Sequence, residues 1–236
     1  GSFFASSLFS NEIKIHTPQN SSYKNLDQYF SYIADKAIKN ISFYTGKNFD
    51  HDINIFLYDD EEEFLANIKG TPDWGMGFAY PKSNTIILKS SRFLKNPVNY
   101  SQVITHEIAH LYLHDVTNMH PLPLWFNEGF AMYMSEEWTD EKSLSLAFFN
   151  LFNEIYTFQS IEKKFPQEDF NAKIAYFYSQ FVFTEFMKDY EIKSLKKMLN
   201  YLAQGNSFEK SFFLVTSQKL EFFEEEMTFR FNNRFN

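Results

Sequence analysis

The chain contains no cysteine. This absence excludes disulfide bonds, thiol nucleophiles and zinc sites with thiolate ligands. It also leaves the redox compartment undetermined. No run of about 20 apolar residues occurs in the sequence, so no segment is predicted to span a membrane.

Basic residues are few and scattered. The 236 residues include 22 Lys and Arg against 30 Asp and Glu, which gives a formal net charge of −8. Binding of nucleic acid requires clustered cations that neutralise phosphates, and no basic stripe is present. We therefore expect no nucleic-acid partner. Phe is abundant, with 30 copies, and we interpret this as a compositional bias of the core.

Helix and strand patterns alternate in the first hundred residues. Residues 22–45 repeat apolar positions at helical spacing, and "INIFLY" at 53–58 alternates as a strand does. A short helix is predicted between Asp59 and Gly70. Two further strands, "WGMGFAY" and "NTIILK", are separated by a Pro-Lys-Ser turn and predict a hairpin.

From residue 100 onward the pattern is almost entirely helical. We predict helices at 100–115, 124–136, 139–151, 170–190, 193–204, 207–215 and 218–229. A helix and a small sheet followed by a long helical half indicate an α+β fold. We expect one domain over residues 1–236, in which 1–98 form a subdomain with a helix and a small sheet and 99–236 form a helical subdomain.

The segment "VITHEIAHLYLHD" at 103–115 places His106, Glu107 and His110 within five consecutive positions. Residues four apart on a helix share a face, so the two imidazoles can bind one metal ion. Glu107 points about 100° away from the first histidine, where it can reach a water at an open position of the ion and act as a general base. The motif arises by chance in about one of a hundred such sequences. A third ligand is therefore needed to decide whether the segment is a metal site.

Three patterns compete for the third ligand. The metzincin pattern requires Gly at position 113 and His at position 116, where this chain has Leu113 and Val116. A deformylase-like site requires a cysteine. The remaining pattern uses a Glu from the next helix, and "LPLWFNEGFAMY" supplies Glu128 eighteen residues after His110.

"VITHEIAH" followed by "WFNEGFAMY" at this spacing resembles the gluzincin aminopeptidases and, because the chain is compact, their smaller bacterial peptidase MA-like relatives. The resemblance extends from about Val103 to Met227. "AYFYSQFVFTEFM" at 175–187 is similar to the helix that follows the site in these proteins. The resemblance implies a zincin-like, thermolysin-like catalytic domain with zinc-dependent activity on peptide or protein substrates.

The family pattern also implies roles for individual side chains. His106, His110 and Glu128 would bind Zn²⁺, and Glu107 would be the general base. A tyrosine of the later helix would donate to the oxyanion, and the spacing favours Tyr176 over Tyr178. Zinc held by two imidazoles and one carboxylate keeps a fourth position for water and lowers the pKa of that water to about 7.

One departure from the family concerns the direction of cleavage. Aminopeptidases of this clan carry a strand with a Glu that binds the α-amine of the substrate, but "WGMGFAY" has no carboxylate. We therefore expect internal segments bound along the strand edge to be preferred over free N termini. Glu136 or Glu137 are the remaining candidates for amine recognition.

Two rival functions stay open. The first is a zinc hydrolase that acts on a substrate other than a peptide, because the predicted site activates water and does not by itself determine the substrate. The second is a binding or assembly module that kept the fold and the metal, although the intact Glu107 argues against it.

Further expectations concern the surroundings of the site and the location of the protein. Asp115 is expected to orient a ligand histidine. His114 lies one turn beyond His110, about 6 Å along the axis, and is therefore too far to join the same ligand set. The apolar "FFASSLF" near the start is either a first strand or the remnant of a removed export signal, and the second reading favours an extracytoplasmic location.

Overall fold

The computed structural model describes residues 12–18, 23, 25–68, 75–93, 98–136 and 169–235. The segment "FFASSLF" and the helix predicted at 139–151 lie outside the described residues, as do Trp74 and Glu137. The described chain forms a small sheet with flanking helices, followed by a helical second part. The predicted α+β class is confirmed.

Four strands form one mixed sheet. They are β1 (Ile13–His16), β2 (Ile53–Tyr58), β3 (Gly77–Tyr80) and β4 (Thr85–Lys89). Their order in space is β1-β2-β4-β3, with β1, β2 and β4 parallel and β3 antiparallel to β4. The strand predicted at 53–58 and the hairpin are confirmed. The sequence analysis did not predict β1.

The described residues contain seven α-helices. They are α1 (Leu26–Thr45), α2 (Glu61–Asn67), α3 (Tyr100–Val116), α4 (Leu124–Met134), α5 (Asp169–Ala203), α6 (Phe208–Thr216) and α7 (Leu220–Phe235). Glu191 interrupts α5 with a φ of 60° and a ψ of 168°, so its two parts correspond to the helices predicted at 170–190 and 193–204. None of the helices in the described ranges is long and apolar enough to cross a bilayer.

The edge strand β3 has two different faces. Phe78 and Tyr80 pack towards Phe64 of α2. On the opposite face, a Cβ added at Gly77 would lie 2.7 Å from Cγ1 of Val103, so the backbone of β3 lies directly against α3. The small residues of this face thus allow a close approach between the edge strand and the helix that carries the histidines.

The helices α4 and α5 also approach closely. A Cβ added at Gly129 would lie 2.4 Å from the backbone oxygen of Ser179 and 2.7 Å from Cβ of Phe183. Around this contact, the buried rings of Phe126 and Phe130 pack against Phe183 at centroid distances of 5.4 and 5.7 Å. Glycine is therefore required where the two helices cross, one residue after Glu128.

Candidate metal centre

Two adjacent helices bring His106, His110 and Glu128 together. Helix α3 begins where the side chain of Asn99 accepts a hydrogen bond from the backbone N–H of Gln102, and it presents the two histidines one turn apart. From α4, Oε2 of Glu128 lies 3.5 Å from Nε2 of His106 and 3.4 Å from Nε2 of His110. The two Nε2 atoms are 3.1 Å apart.

These distances fit a single metal ion. Tetrahedral zinc with bonds of about 2.0–2.1 Å separates its ligand atoms by about 3.3–3.4 Å. The three donor atoms of His106, His110 and Glu128 lie within 4.8 Å of one another, and their closest separations bracket that value. The cluster can therefore hold a metal ion without a large movement of these side chains.

The electrostatics of the cluster also favour a cation. Burial opposes ionisation of the Glu128 carboxyl, but His110 and His106 hold its pKa well below its usual range. Burial likewise opposes protonation of His110, but the charge of Glu128 outweighs it and the pKa of His110 is raised. Oε2 of Glu128 is buried and faces the two Nε2 atoms at 3.4 and 3.5 Å, but no contact in the described part of the chain has the geometry of a good hydrogen bond. A buried acceptor without a hydrogen bond costs about 1–3 kcal/mol, and a bound cation would satisfy it.

The other ring nitrogen of His110 has a partner on α4. Its Nδ1 lies 3.1 Å from Oδ1 of Asn127. When Nδ1 donates to this amide oxygen, Nε2 carries the lone pair that faces the cluster. The sequence analysis missed Asn127, although its place directly before Glu128 is a signal that could have identified it. The role expected for Asp115 differs, since its Oδ1 lies 2.9 Å from Nε2 of His51.

Glu107 lies between α3 and the edge strand. Its side chain is buried, with 7% of its surface exposed. A Cβ added at Gly77 would lie 3.1 Å from Cγ and 3.2 Å from Oε1 of Glu107. As its position in the motif predicts, Glu107 is not one of the three clustered ligands. Its carboxylate is instead held next to the backbone of β3.

Only one of the two candidate tyrosines lies beside the histidines. The ring of Tyr176 is 6.4 Å from the ring of His106, and its side chain is partly buried. Tyr178 is buried, and its hydroxyl forms a 3.0 Å hydrogen bond with Oγ1 of Thr228. Burial raises the pKa of Tyr178 despite this hydrogen bond. The arrangement favours Tyr176 as the residue next to the cluster.

Glu136, a candidate for amine recognition, lies beyond the end of α4. Its side chain is exposed and lines a cavity of about 500 Å³ together with Tyr133 and Gln180. Its backbone oxygen accepts a hydrogen bond from Nε2 of Gln102. Glu137, the other candidate, lies outside the described residues.

The fold and the cluster define an α+β protein with a partly buried His-His-Glu site that could hold a metal ion. A family model described as peptidase MA superfamily matches residues 33–229. The chain therefore belongs to the peptidase MA superfamily, which confirms the predicted zincin-like fold class. The family suggests a metallopeptidase-like function with peptide or protein substrates. No curated protein matched the chain.

Proposed function

We propose that the protein is a zinc-dependent peptidase of the gluzincin type. The observation that carries this proposal is the partly buried cluster of His106, His110 and Glu128, whose donor atoms have the separations of ligands around one tetrahedral ion. Two imidazoles and one carboxylate form a donor set of catalytic zinc sites, which keep one position open. The absence of cysteine removes the thiolate ligands that structural zinc sites use.

The side chains around the cluster supply the remaining chemistry. A zinc ion held there would polarise a peptide carbonyl and make a water molecule acidic near neutral pH. Glu107 accepts the proton of the attacking water and passes it to the leaving amine. The hydroxyl of Tyr176 donates a hydrogen bond to the developing oxyanion. Glu107 is buried, so its carboxylate is largely shielded from bulk solvent.

The edge of β3 supports a preference for internal peptide segments. One edge of β3 pairs with β4, and no strand of the described chain pairs with the other. An extended peptide can add to such an edge through backbone hydrogen bonds. The strand offers no carboxylate for a substrate α-amine, and a buried ammonium without a partner costs several kcal/mol. We infer that cleavage within chains is favoured over removal of N-terminal residues.

Metal analysis and peptide hydrolysis test the proposal together. We expect about one zinc per purified chain and cleavage of internally quenched peptides whose N termini are acetylated. Glu107→Gln keeps the size of the side chain but removes the base, so zinc is retained while hydrolysis falls at least about 10²-fold.

Two results would contradict parts of the proposal. A zinc-loaded protein that cleaves no member of a diverse peptide library, and binds a partner equally well with Glu107→Gln, is a binding module. Cleavage restricted to peptides with a free α-amine would instead overturn the preference for internal segments and leave the peptidase assignment intact.

A further inference from the structure

A cavity of about 500 Å³ lies where α1, α4 and α5 meet. This volume is typical of pockets that bind small molecules. The described residues that line it include Tyr44 of α1, Tyr133 and Glu136 at and just beyond the end of α4, and Gln180 and Lys188 of α5. None of these residues is a ligand of the metal cluster.

Two helices end at this cavity without a basic residue that would complement them. Tyr44 lies in the last turn of α1, and Tyr133 lies in the last turn of α4. The C-terminal end of a helix carries a partial negative charge, which Lys, Arg or His in the last turn usually complements. Neither last turn contains such a residue. Lys196 approaches the end of α1, but its ammonium lies over the ring of Phe43, which does not line the cavity. The two helix ends therefore favour a cation.

The charged side chains of the cavity also leave an anion without a partner. Nζ of Lys188 lies 2.6 Å from Oε1 of Glu185, whose Oε2 accepts a hydrogen bond from Arg230. These groups neutralise one another. Glu136 is exposed, and its carboxylate forms no ion pair within the described ranges. Its backbone is held at the cavity, because its oxygen accepts a hydrogen bond from Nε2 of Gln102.

Aromatic rings and a buried amide form the walls. The rings of Tyr44 and Tyr133 lie 5.9 Å apart at an interplanar angle of 79°, and both side chains are partly exposed. The faces of such rings attract organic cations. Nε2 of Gln180 donates to the backbone oxygen of Met132, whereas its Oε1 has no hydrogen-bond partner among the described residues. Because Oε1 is buried, it acts on the cavity through its dipole and not through contact with a ligand.

The donor groups suit an organic cation better than a metal ion. Within the described part of the chain, only His106, His110 and Glu128 form a group of three ligands close enough for a metal. The cavity instead combines one free carboxylate with aromatic walls and room for an apolar body. We propose that it binds a small organic ammonium compound, with the ammonium beside Glu136 and the apolar part against Tyr44 and Tyr133. This inference does not depend on the proposed peptidase function.

The test compares two probes that differ only in their charged group. 2-Phenylethylamine and 2-phenylethanol are each titrated against the purified full chain by calorimetry. We expect the amine to bind about tenfold more tightly than the alcohol, because the carboxylate, the aromatic rings and the helix ends each favour the ammonium. Since charge interactions at a partly exposed site are screened, this preference should fall as the salt concentration rises.

Variants of the lining residues assign the preference to the cavity. Glu136→Gln changes an exposed side chain, so the fold is retained, and the preference for the amine should fall to about threefold or less. Tyr44→Leu removes one aromatic wall and should weaken binding of the amine more than binding of the alcohol. Glu62→Gln changes an exposed carboxylate of α2 outside the cavity and should leave the preference unchanged.

A further variant excludes binding of the amine at the metal cluster. His110→Ala removes one of the three clustered ligands, and the preference for the amine should persist in this protein. Equal affinity for the amine and the alcohol would overturn the cavity assignment. The same holds for a preference that survives Glu136→Gln, one that disappears in His110→Ala, or one that Glu62→Gln reduces equally. Peptide hydrolysis is measured separately, so none of these results decides the peptidase assignment.

Discussion

Nδ1 of His110 lies 3.1 Å from Oδ1 of Asn127, the residue directly before Glu128. Helix α4 therefore contributes to the cluster in two ways. It supplies the carboxylate, and it orients the imidazole that meets this carboxylate from α3. A rotation of α4 would disturb both contacts at once, so the packing of α4 determines the geometry of the whole cluster.

Removal of the Asn127 amide should weaken metal binding without unfolding the protein. We expect Asn127→Ala to lower zinc affinity about 10- to 100-fold, because His110 loses the acceptor that fixes its ring and tautomer. Competition with a chelator measures this affinity. Asn67→Ala is the control, since within the described ranges the Asn67 side chain donates to the backbone oxygen of Glu63 in its own helix. Unchanged affinity in Asn127→Ala would contradict the orienting role.

Each of the three clustered side chains should be needed for metal binding. His106→Ala, His110→Ala and Glu128→Ala each remove one of three protein ligands, so zinc content after dialysis should fall sharply in every case. His16→Ala changes an exposed histidine of β1 and should retain the metal. Full occupancy in His110→Ala, measured by elemental analysis, would rule out the cluster as the metal site.

The two tyrosines of α5 should differ in what they affect. Tyr176→Phe removes a donor used mainly in the transition state, so kcat should fall about 10²-fold or more with little change in KM. Tyr178→Phe removes the hydrogen bond to Thr228, so the free energy of unfolding should fall by about 1 kcal/mol while kcat changes little. The reverse pattern in kinetics and denaturant unfolding would show that Tyr178 is the donor.

A methyl group at the crossing of α4 and α5 should destabilise the protein and disturb the metal site. In Gly129→Ala the new Cβ would meet the backbone of Ser179 at 2.4 Å, so the helices must separate at a cost of about 1–3 kcal/mol. Glu128 moves with α4, so zinc affinity should fall as well. Gly205→Ala is a useful comparison, because only its φ of 82° opposes the change and no atom lies within 4 Å. It should lower stability and leave zinc affinity intact.

A methyl group on the edge strand should affect turnover more than metal binding. In Gly77→Ala the new Cβ would lie 2.7 Å from Val103 and 3.2 Å from Oε1 of Glu107, so the base is displaced while the three ligands stay in place. We expect kcat to fall with zinc content unchanged. The second change Val103→Ala makes room for the methyl group and should restore part of the activity. If the zinc content of Gly77→Ala is reduced, the result would show that the strand supports the three ligands and not only the proposed base.

The clustering of His106, His110 and Glu128 could be predicted from sequence because its geometry is mostly local. His106, Glu107 and His110 lie on one helix, where spacing alone determines which side chains share a face. Glu128 follows on the next helix along the chain. The strand at 53–58 and the hairpin were also predictable, since both have alternating patterns bounded by turns.

Features that depend on contacts between distant segments could not be predicted in this manner. Strand β1 has only four residues, and its pairing with β2 depends on a partner 40 positions away. The contact between His51 and Asp115 spans 64 positions. Because of it, the Asp115 carboxylate pairs with His51, whereas the sequence had suggested that it orients a ligand histidine. The need for Gly77 and Gly129 follows from close approaches of backbones, which a sequence pattern does not encode.

The two unlike faces of β3 make the pairing of the hairpin important for the environment of Glu107, the proposed base. Side chains of a strand alternate between its faces, so a slip of one residue against β4 would exchange Gly77 for Met76 or Phe78 beside Glu107. The large side chain would occupy the space next to Glu107. The turn before β4, which ends at Asn84 with a φ of 48°, therefore helps to determine which residue lies beside the carboxylate proposed as the base.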